Sequence, residues 1–280
     1  MKTLISAPDL MQALNGPHAP VLLDCGFELS DPSAGRRAWG QGHLPGAHYL
    51  SLDDDLAGPK HDAAGRFRGR HPLPERAALG ARLGDLGVGP ATPVVAYDAQ
   101  GGAYAARCWW LLRWLGHDDV AVLDGGIAAW RAEGGTVTDA PSPAWPCGSY
   151  PLHAPALPTI DAEGVRAGVG RMHLVDARAG ERFRGEVEPL DAAAGHIPGA
   201  RNRCFKDNLA ADGRFKSAAQ LRTEWAPLTA GGALVHYCGS GVTACHNLLA
   251  VAHAGLGEGM LYPGSWSEWS SDPSRPQVVG

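Results

Sequence analysis

The sequence predicts an α/β protein written twice, each half a mostly parallel sheet flanked by helices on both faces. Three observations carry this expectation. A set of motifs recurs in the same order along the chain, short β-branched runs alternate with helical patterns, and one proline-dense stretch separates the two copies. At 280 residues the chain has the length of two ordinary domains.

The repeat is read directly. "VLLD" (21–24) is echoed by "LVDAR" (174–178), and "GHLPGAHYLSLD" (42–53) by "GHIPGARNRCFKD" (195–207). "PVVAYD" (93–98) is echoed by "ALVHYC" (233–238), and "LDGGIAAW" (123–130) by "YPGSWSEW" (262–269). Between the copies, residues 139–158 carry prolines at 141, 143, 146, 151, 155 and 158. Such a stretch neither continues a helix nor joins the middle of a sheet, so it reads as a linker between domains spanning 1–138 and 159–280. In the first half, Val94–Tyr97 and Val120–Leu123 read as strands, and Ala103–Leu115 and Ile127–Ala132 as helices. In the second, Val242, Cys245, Leu248, Leu249 and Ala252 recur at helical spacing, and Gly255 closes that helix. Ligands of such sheets bind beyond the carboxyl ends of the strands. Cys238 is expected there, and so is its counterpart Asp98.

Composition narrows the function classes. Apolar content of 45% and charged content of 19% describe an ordinary globular chain. A net charge of −5 with scattered Lys and Arg argues against nucleic acid or an anionic membrane as the main partner. The longest apolar runs, such as Cys108–Leu112, fall far short of the roughly 18 residues of a membrane span. The N-terminal stretch lacks a long apolar region, which suggests a cytoplasmic home. The six cysteines include no CxxC pair, so neither a metal site nor a disulfide scaffold is expected, and no cofactor is implied.

Cys238 is the thiol in an unusual setting: a strand, then Cys238, then Gly239, Ser240 and Gly241, then a helix. Glycines let the loop curl so that its amides face one point, and the helix N-terminus adds partial positive charge. A thiol facing that cradle gives up its proton readily. A phosphatase of the Cys-x5-Arg type would need a guanidinium where Ala244 stands, and no Lys or Arg lies between Cys238 and Arg275. A loop of backbone donors and one hydroxyl suits a smaller negative centre, such as a persulfide carried on the cysteine.

"CGSGVTA" (238–244), the paired "GHLPGA" and "GHIPGA", "RFRG" (182–185) and "GSWSEW" (264–269) together resemble the tandem-domain rhodanese superfamily. The loop is most similar to that of the 3-mercaptopyruvate sulfurtransferase branch. The resemblance implies two rhodanese-like domains, with catalysis in the second and a catalytically silent first domain because Asp98 cannot carry sulfur. It implies transfer of sulfur from 3-mercaptopyruvate through a Cys238 persulfide to a thiol, thioredoxin or cyanide. The alternatives are a thiosulfate sulfurtransferase and a non-catalytic persulfide carrier. It further implies that Ser240, His71 and Asp53 relay a proton, that Arg182 grips the substrate carboxylate, and that Gly239, Gly241, Val242 and Thr243 line the substrate site. The chain departs from the branch at Leu190, where a second arginine is expected; Arg178, Arg184 or Arg203 are the candidates to replace it. His43 and His196 occur in both copies, including the one without a thiol, and are expected to fix turns. Cys245 falls on the buried stripe of its helix. "GLGEG" (255–259) follows a helix rather than a strand and carries no nucleotide-loop reading.

Overall fold

The computed structural model describes residues 3–143, 146–148, 150–152, 154–229 and 232–280. The chain divides into two compact units. The first takes Met1–Gly58, Pro74–Ala156 and Ala211–Phe215; the second takes Pro59–Leu73, Leu157–Ala210 and Lys216–Gly280.

In the first unit the elements run β1 (Leu4–Ile5), α1 (Ala7–Leu14), β2 (Val21–Asp24), α2 (Ala34–Gln41), β3 (His48–Tyr49), α3 (Arg76–Asp85), β4 (Val94–Tyr97), α4 (Ala105–Leu115), β5 (Val120–Leu123) and α5 (Gly126–Ala132). The second holds α6 (Ala162–Gly168), β6 (His173–Asp176), α7 (Gly180–Phe183), β7 (Arg201–Asn202), α8 (Ala218–Thr229), β8 (Leu234–Tyr237), α9 (Thr243–His253), β9 (Met260–Leu261) and α10 (Ser265–Ser270). The strand orders are β1-β5-β4-β2-β3 and β7-β6-β8-β9. Every pairing within these two sheets is parallel. Parallel strands covered on both faces read as unbroken apolar runs, which is why "VVAY" and "VAVL" become the fully buried β4 and β5.

On one face of the first sheet, Leu22, Val95, Tyr97 and Leu123 pack with Leu10 of α1 and Trp130 of α5. In the second, Leu174, Val235 and Tyr237 pack with Val165 of α6 and with Trp266 and Trp269 of α10. The repeat persists to single hydrogen bonds. Asp24 lies opposite Tyr97 and Asp176 opposite Tyr237 in the strand registers. The Tyr97 hydroxyl accepts from the Leu44 amide at 3.1 Å, and the Tyr237 hydroxyl from the Ile197 amide at 3.3 Å. His43 sits 2.7 Å from the Trp39 carbonyl and stacks on that ring; His196 sits 2.8 Å from the Phe183 carbonyl and stacks likewise. Both histidines therefore hold the turn before a strand. Among the described residues no helix is long and apolar enough to cross a membrane.

Residues 59–73 come from the first half of the sequence but lie in the second unit. They are tied there by the Arg70 amide, which donates to Ser267 Oγ at 3.1 Å, and by an Arg68–Glu268 ion pair at 3.7 Å. Residues 211–215 make the opposite passage: the Phe215 amide donates to Asp124 Oδ1 at 2.8 Å, and Arg214 pairs with Glu133 at 3.3 Å.

Candidate active site

β8 delivers Cys238 to the carboxyl edge of the second sheet, and α9 begins five residues later at Thr243. The main chain between them is held from above by the first turn of α10. The Cys238 amide donates to Ser265 Oγ at 3.1 Å, the Cys238 carbonyl accepts from the Trp266 amide at 2.9 Å, and the Gly239 carbonyl accepts from the Ser267 amide at 2.9 Å. Ser265 has a φ of 53°, a strained angle for a residue with a side chain, and its hydroxyl also donates to the Tyr262 carbonyl at 2.9 Å. Gly241 has a φ of 75°, and a Cβ there would collide with the Pro263 carbonyl oxygen, so only glycine fits. Cys245 is fully buried and directs its Sγ to the Gly241 carbonyl at 3.4 Å; it braces the loop.

The first unit displays what such a loop does with an anion. The Asp98 carboxylate, 1% exposed, accepts from four amides: Gln100 at 2.9 Å, Gly102 at 2.8 Å, Tyr104 at 2.9 Å and Ala105 at 2.9 Å. The helix α4 starts at Ala105 rather than Ala103, and the Asp98 carboxylate takes the free amides at its entry. The counterpart of Asp98 at the end of the equivalent strand is Cys238, which is 2% exposed.

Ser240 and His71 meet: Oγ and Nδ1 are 2.8 Å apart and both residues are buried. Arg182, on the single turn of α7, donates to Glu188 at 2.7 Å and to Asp191 at 3.1 Å, not to Glu181 or Glu186. A Cβ built on Gly239 would lie 3.5 Å from Arg182 Nη1, so the guanidinium faces the residue next to Cys238. The same Cβ would lie 2.7 Å from Arg70 Nη2. Burial lowers the Arg70 guanidinium from its ordinary value, partly offset by the negative charge that Cys238 can carry. Arg70, Glu188 and Asp191 are not singled out by the sequence; the available signals were the position of Arg70 beside His71 in "GRHPLP" and the two acids in "VEPLD".

The arginines offered as replacements at Leu190 all have carboxylate partners, as Arg182 does. Arg178 is sealed between Asp176 at 2.7 Å, Glu188 at 3.2 Å and the Trp266 ring; Arg184 pairs with Glu186 at 2.6 Å, and Arg203 with Glu224. Arg178 marks a difference between the copies, since Gly26 holds the matching place. Without a guanidinium beside it, the buried Asp24 carboxyl is pushed up to about 6 by desolvation.

Val242 is buried at the loop's end and Thr243 opens α9. Asp53 belongs to the first unit, where it is exposed and lines an open hollow with Pro32, Ser33, Arg36, Tyr49, Ser51 and Asp54. The nearby turn is held by Asp55, which accepts from the Ser51 amide at 2.7 Å. Among the described residues no group of three His, Cys, Asp or Glu side chains is placed to hold a metal ion.

The family model described as "Rhodanese-like domain" matches residues 6–133 and 162–272. A Pseudomonas aeruginosa protein named "Probable 3-mercaptopyruvate sulfurtransferase" is 47% identical over 283 residues, covering 99% of this chain and 98% of its own. A Mycobacterium tuberculosis protein named "Putative thiosulfate sulfurtransferase SseB" is 43% identical, covering 98% of this chain and 96% of its own. The structure of 3-mercaptopyruvate sulfurtransferase from Leishmania major superimposes with a TM-score of 0.83 at 29% identity, over 96% of this chain and 74% of that one.

Proposed function

Because the chain belongs to the rhodanese family through both of its halves, we propose that it transfers sulfane sulfur from 3-mercaptopyruvate through a persulfide on Cys238 to a thiol or cyanide acceptor. The Cys238 thiolate attacks the donor's sulfur. The S–S bond forms as the donor's C–S bond breaks, and the electron pair leaves on carbon as the enolate of pyruvate. The donor's thiol proton ends on that carbon, giving pyruvate and the enzyme persulfide. A nucleophilic acceptor (cyanide, a small thiol or thioredoxin) then takes the terminal sulfur and releases the thiolate. The loop amides stabilise charge on sulfur as the equivalent amides stabilise the Asp98 carboxylate. The first unit is silent because that carboxylate already fills its cradle and cannot form a persulfide. Arg182 anchors the donor's carboxylate. Asp53 remains the proposed third member of the relay. With six free cysteines, a reducing cytoplasmic setting suits the chemistry.

The observation that carries the choice of donor is the 2.8 Å contact between Ser240 and His71. Mercaptopyruvate needs a proton delivered to its leaving enolate. Thiosulfate releases sulfite, which needs none. The second reading, thiosulfate as donor, rests on the name of the Mycobacterium tuberculosis relative. Measured with cyanide as acceptor, kcat/KM is expected to be higher for mercaptopyruvate, and a thiosulfate preference would reverse the assignment. Release of no pyruvate, with sulfur still accepted from a protein persulfide, would favour the carrier. Ser240→Ala is expected to lower turnover with mercaptopyruvate by roughly 100-fold, the ordinary scale of general acid–base assistance. Thiosulfate turnover should change little, and equal losses with both donors would dismiss the proton route.

A further inference from the structure

We propose that the first unit holds a binding site of its own for a free guanidino amino acid, with the guanidinium seated on Asp24 as the second unit seats the head of Arg178 on Asp176. The site is a cavity of about 250 Å³ at the carboxyl edge of the first sheet. That volume is below the roughly 300–1,000 Å³ of drug-sized sites, so the ligand is small. The second copy shows what such a place accommodates. There Arg178 donates from Nε and Nη2 to Asp176 Oδ2 at 3.0 and 2.7 Å, and from Nη2 to the Gly195 carbonyl at 2.7 Å. Its head lies 4.8 Å from the centre of the Trp266 ring. The counterparts of all three groups line the cavity of the first unit. Asp24 matches Asp176 in strand register, and Gly42 matches Gly195 in the repeated GHxPGA turn. Ile127 matches Trp266: its amide donates to the Asp98 carbonyl at 3.1 Å, as the Trp266 amide does to the Cys238 carbonyl at 2.9 Å. What differs is Gly26, which brings no side chain to the place of Arg178.

Asp24 is 7% exposed. Its carboxylate accepts from the Gly26 amide at 2.9 Å and from the Tyr97 hydroxyl, and among the described residues no Lys or Arg pairs with it. The same amide contact, from Arg178 to Asp176 Oδ1 at 2.9 Å, leaves room for a guanidinium in the second unit. Desolvation raises the Asp24 carboxyl, and a cation set against it offsets that cost. A guanidinium does so best, because its planar fork matches a carboxylate's two oxygens. Asp98, also in the wall, has its charge taken up by four amides and calls for no second cation. The rest of the ligand follows from two exposed side chains that line the same cavity, Glu28 and Arg131. One anion and one cation complement the ammonium and the carboxylate of an α-amino acid.

Titration of the whole protein with L-arginine, followed by saturation-transfer NMR of the ligand, tests this without any sulfur transfer. L-Citrulline has the same length but a neutral urea head, and is expected to bind at least about tenfold more weakly, the scale of a hydrogen bond to a charged group. Asp24→Asn should weaken arginine binding by a similar factor. Gly26→Arg carries the second unit's guanidinium into the first and should abolish the arginine signal while raising the first unfolding transition. The substitution fits: apart from its chain neighbours, the one atom within 4 Å of a Cβ built on Gly26 is Asp24 Oδ1, at 3.1 Å. A thermal scan of each variant separates lost binding from lost folding, and Asp24→Asn decides the matter where Gly26→Arg is unstable. Arginine capped as its N-acetyl amide, the form of a residue within a peptide, should bind more weakly than the free amino acid. Tighter binding of the capped form would assign the cavity to a partner protein's arginine and overturn the free ligand. No arginine signal at about 10 mM, or an equal signal from citrulline or from both variants, would overturn the site itself.

Discussion

Cys238→Ser protein treated with mercaptopyruvate is expected to gain no sulfur, whereas the native chain gains the mass of one sulfur atom. The size of this effect follows from the chemistry of the atom replaced. A thiolate forms at accessible pH and a serine alkoxide does not, so turnover should fall to background rather than by a graded factor. The other thiols make the result diagnostic. Cys25, Cys108 and Cys245 are fully buried, Cys204 is half-buried with its thiol pushed up by desolvation, and Cys147 is exposed but outside the loop. Peptide mapping of the native protein should therefore place the adduct on Cys238. Sulfur on Cys147 in the Cys238→Ser protein would refute the assignment of the loop as the carrier.

Asp98→Ala carries the largest expected effect on stability. Four amides lose their acceptor at once in a site with 1% exposure, and alanine offers nothing in return. An unsatisfied buried donor costs about 1–3 kcal/mol. Allowing for water entering and for non-additivity, the loss should come to about 4 kcal/mol, a large share of the 5–15 kcal/mol of an ordinary domain. The first unfolding transition should fall by roughly 10 °C. Asp98→Asn, which keeps one carbonyl oxygen, should fall between. Below that transition, sulfur loading at Cys238 should persist, since the Cys238 loop lies in the second unit. A thermal scan of Asp98→Ala indistinguishable from the native one would mean that the four amides contribute nothing measurable.

The parts of this architecture legible in the sequence are those repeated or periodic. "VVAY", "VAVL" and the Ala105–Leu115 helix declare themselves by composition and spacing, and the place of Cys238 follows from the strand–glycine–helix order. The two-residue strands β1, β3, β7 and β9 are too short for any alternation to register. α7, a single turn, has no periodicity, so Arg182 is legible through the family resemblance rather than through its helix. Arg70 escaped for a different reason. Residues 59–73 contain no helix and pair only through the His61–Phe67 bridge, and nothing in such a segment's composition says which sheet it will join. Asp191 and Glu188 are not legible because the family pattern at Leu190 calls for a cation, whereas the fold places there the acids that pair with Arg70 and Arg182.

The passage of residues 59–73 into the second unit has an evolutionary reading. A gene trimmed at the proline-rich joint would inherit Cys238 yet forfeit His71, the partner of Ser240, which is encoded upstream. The joint between the two copies in the sequence is thus not a joint in the fold, and a chain begun there would lack a segment of its own unit.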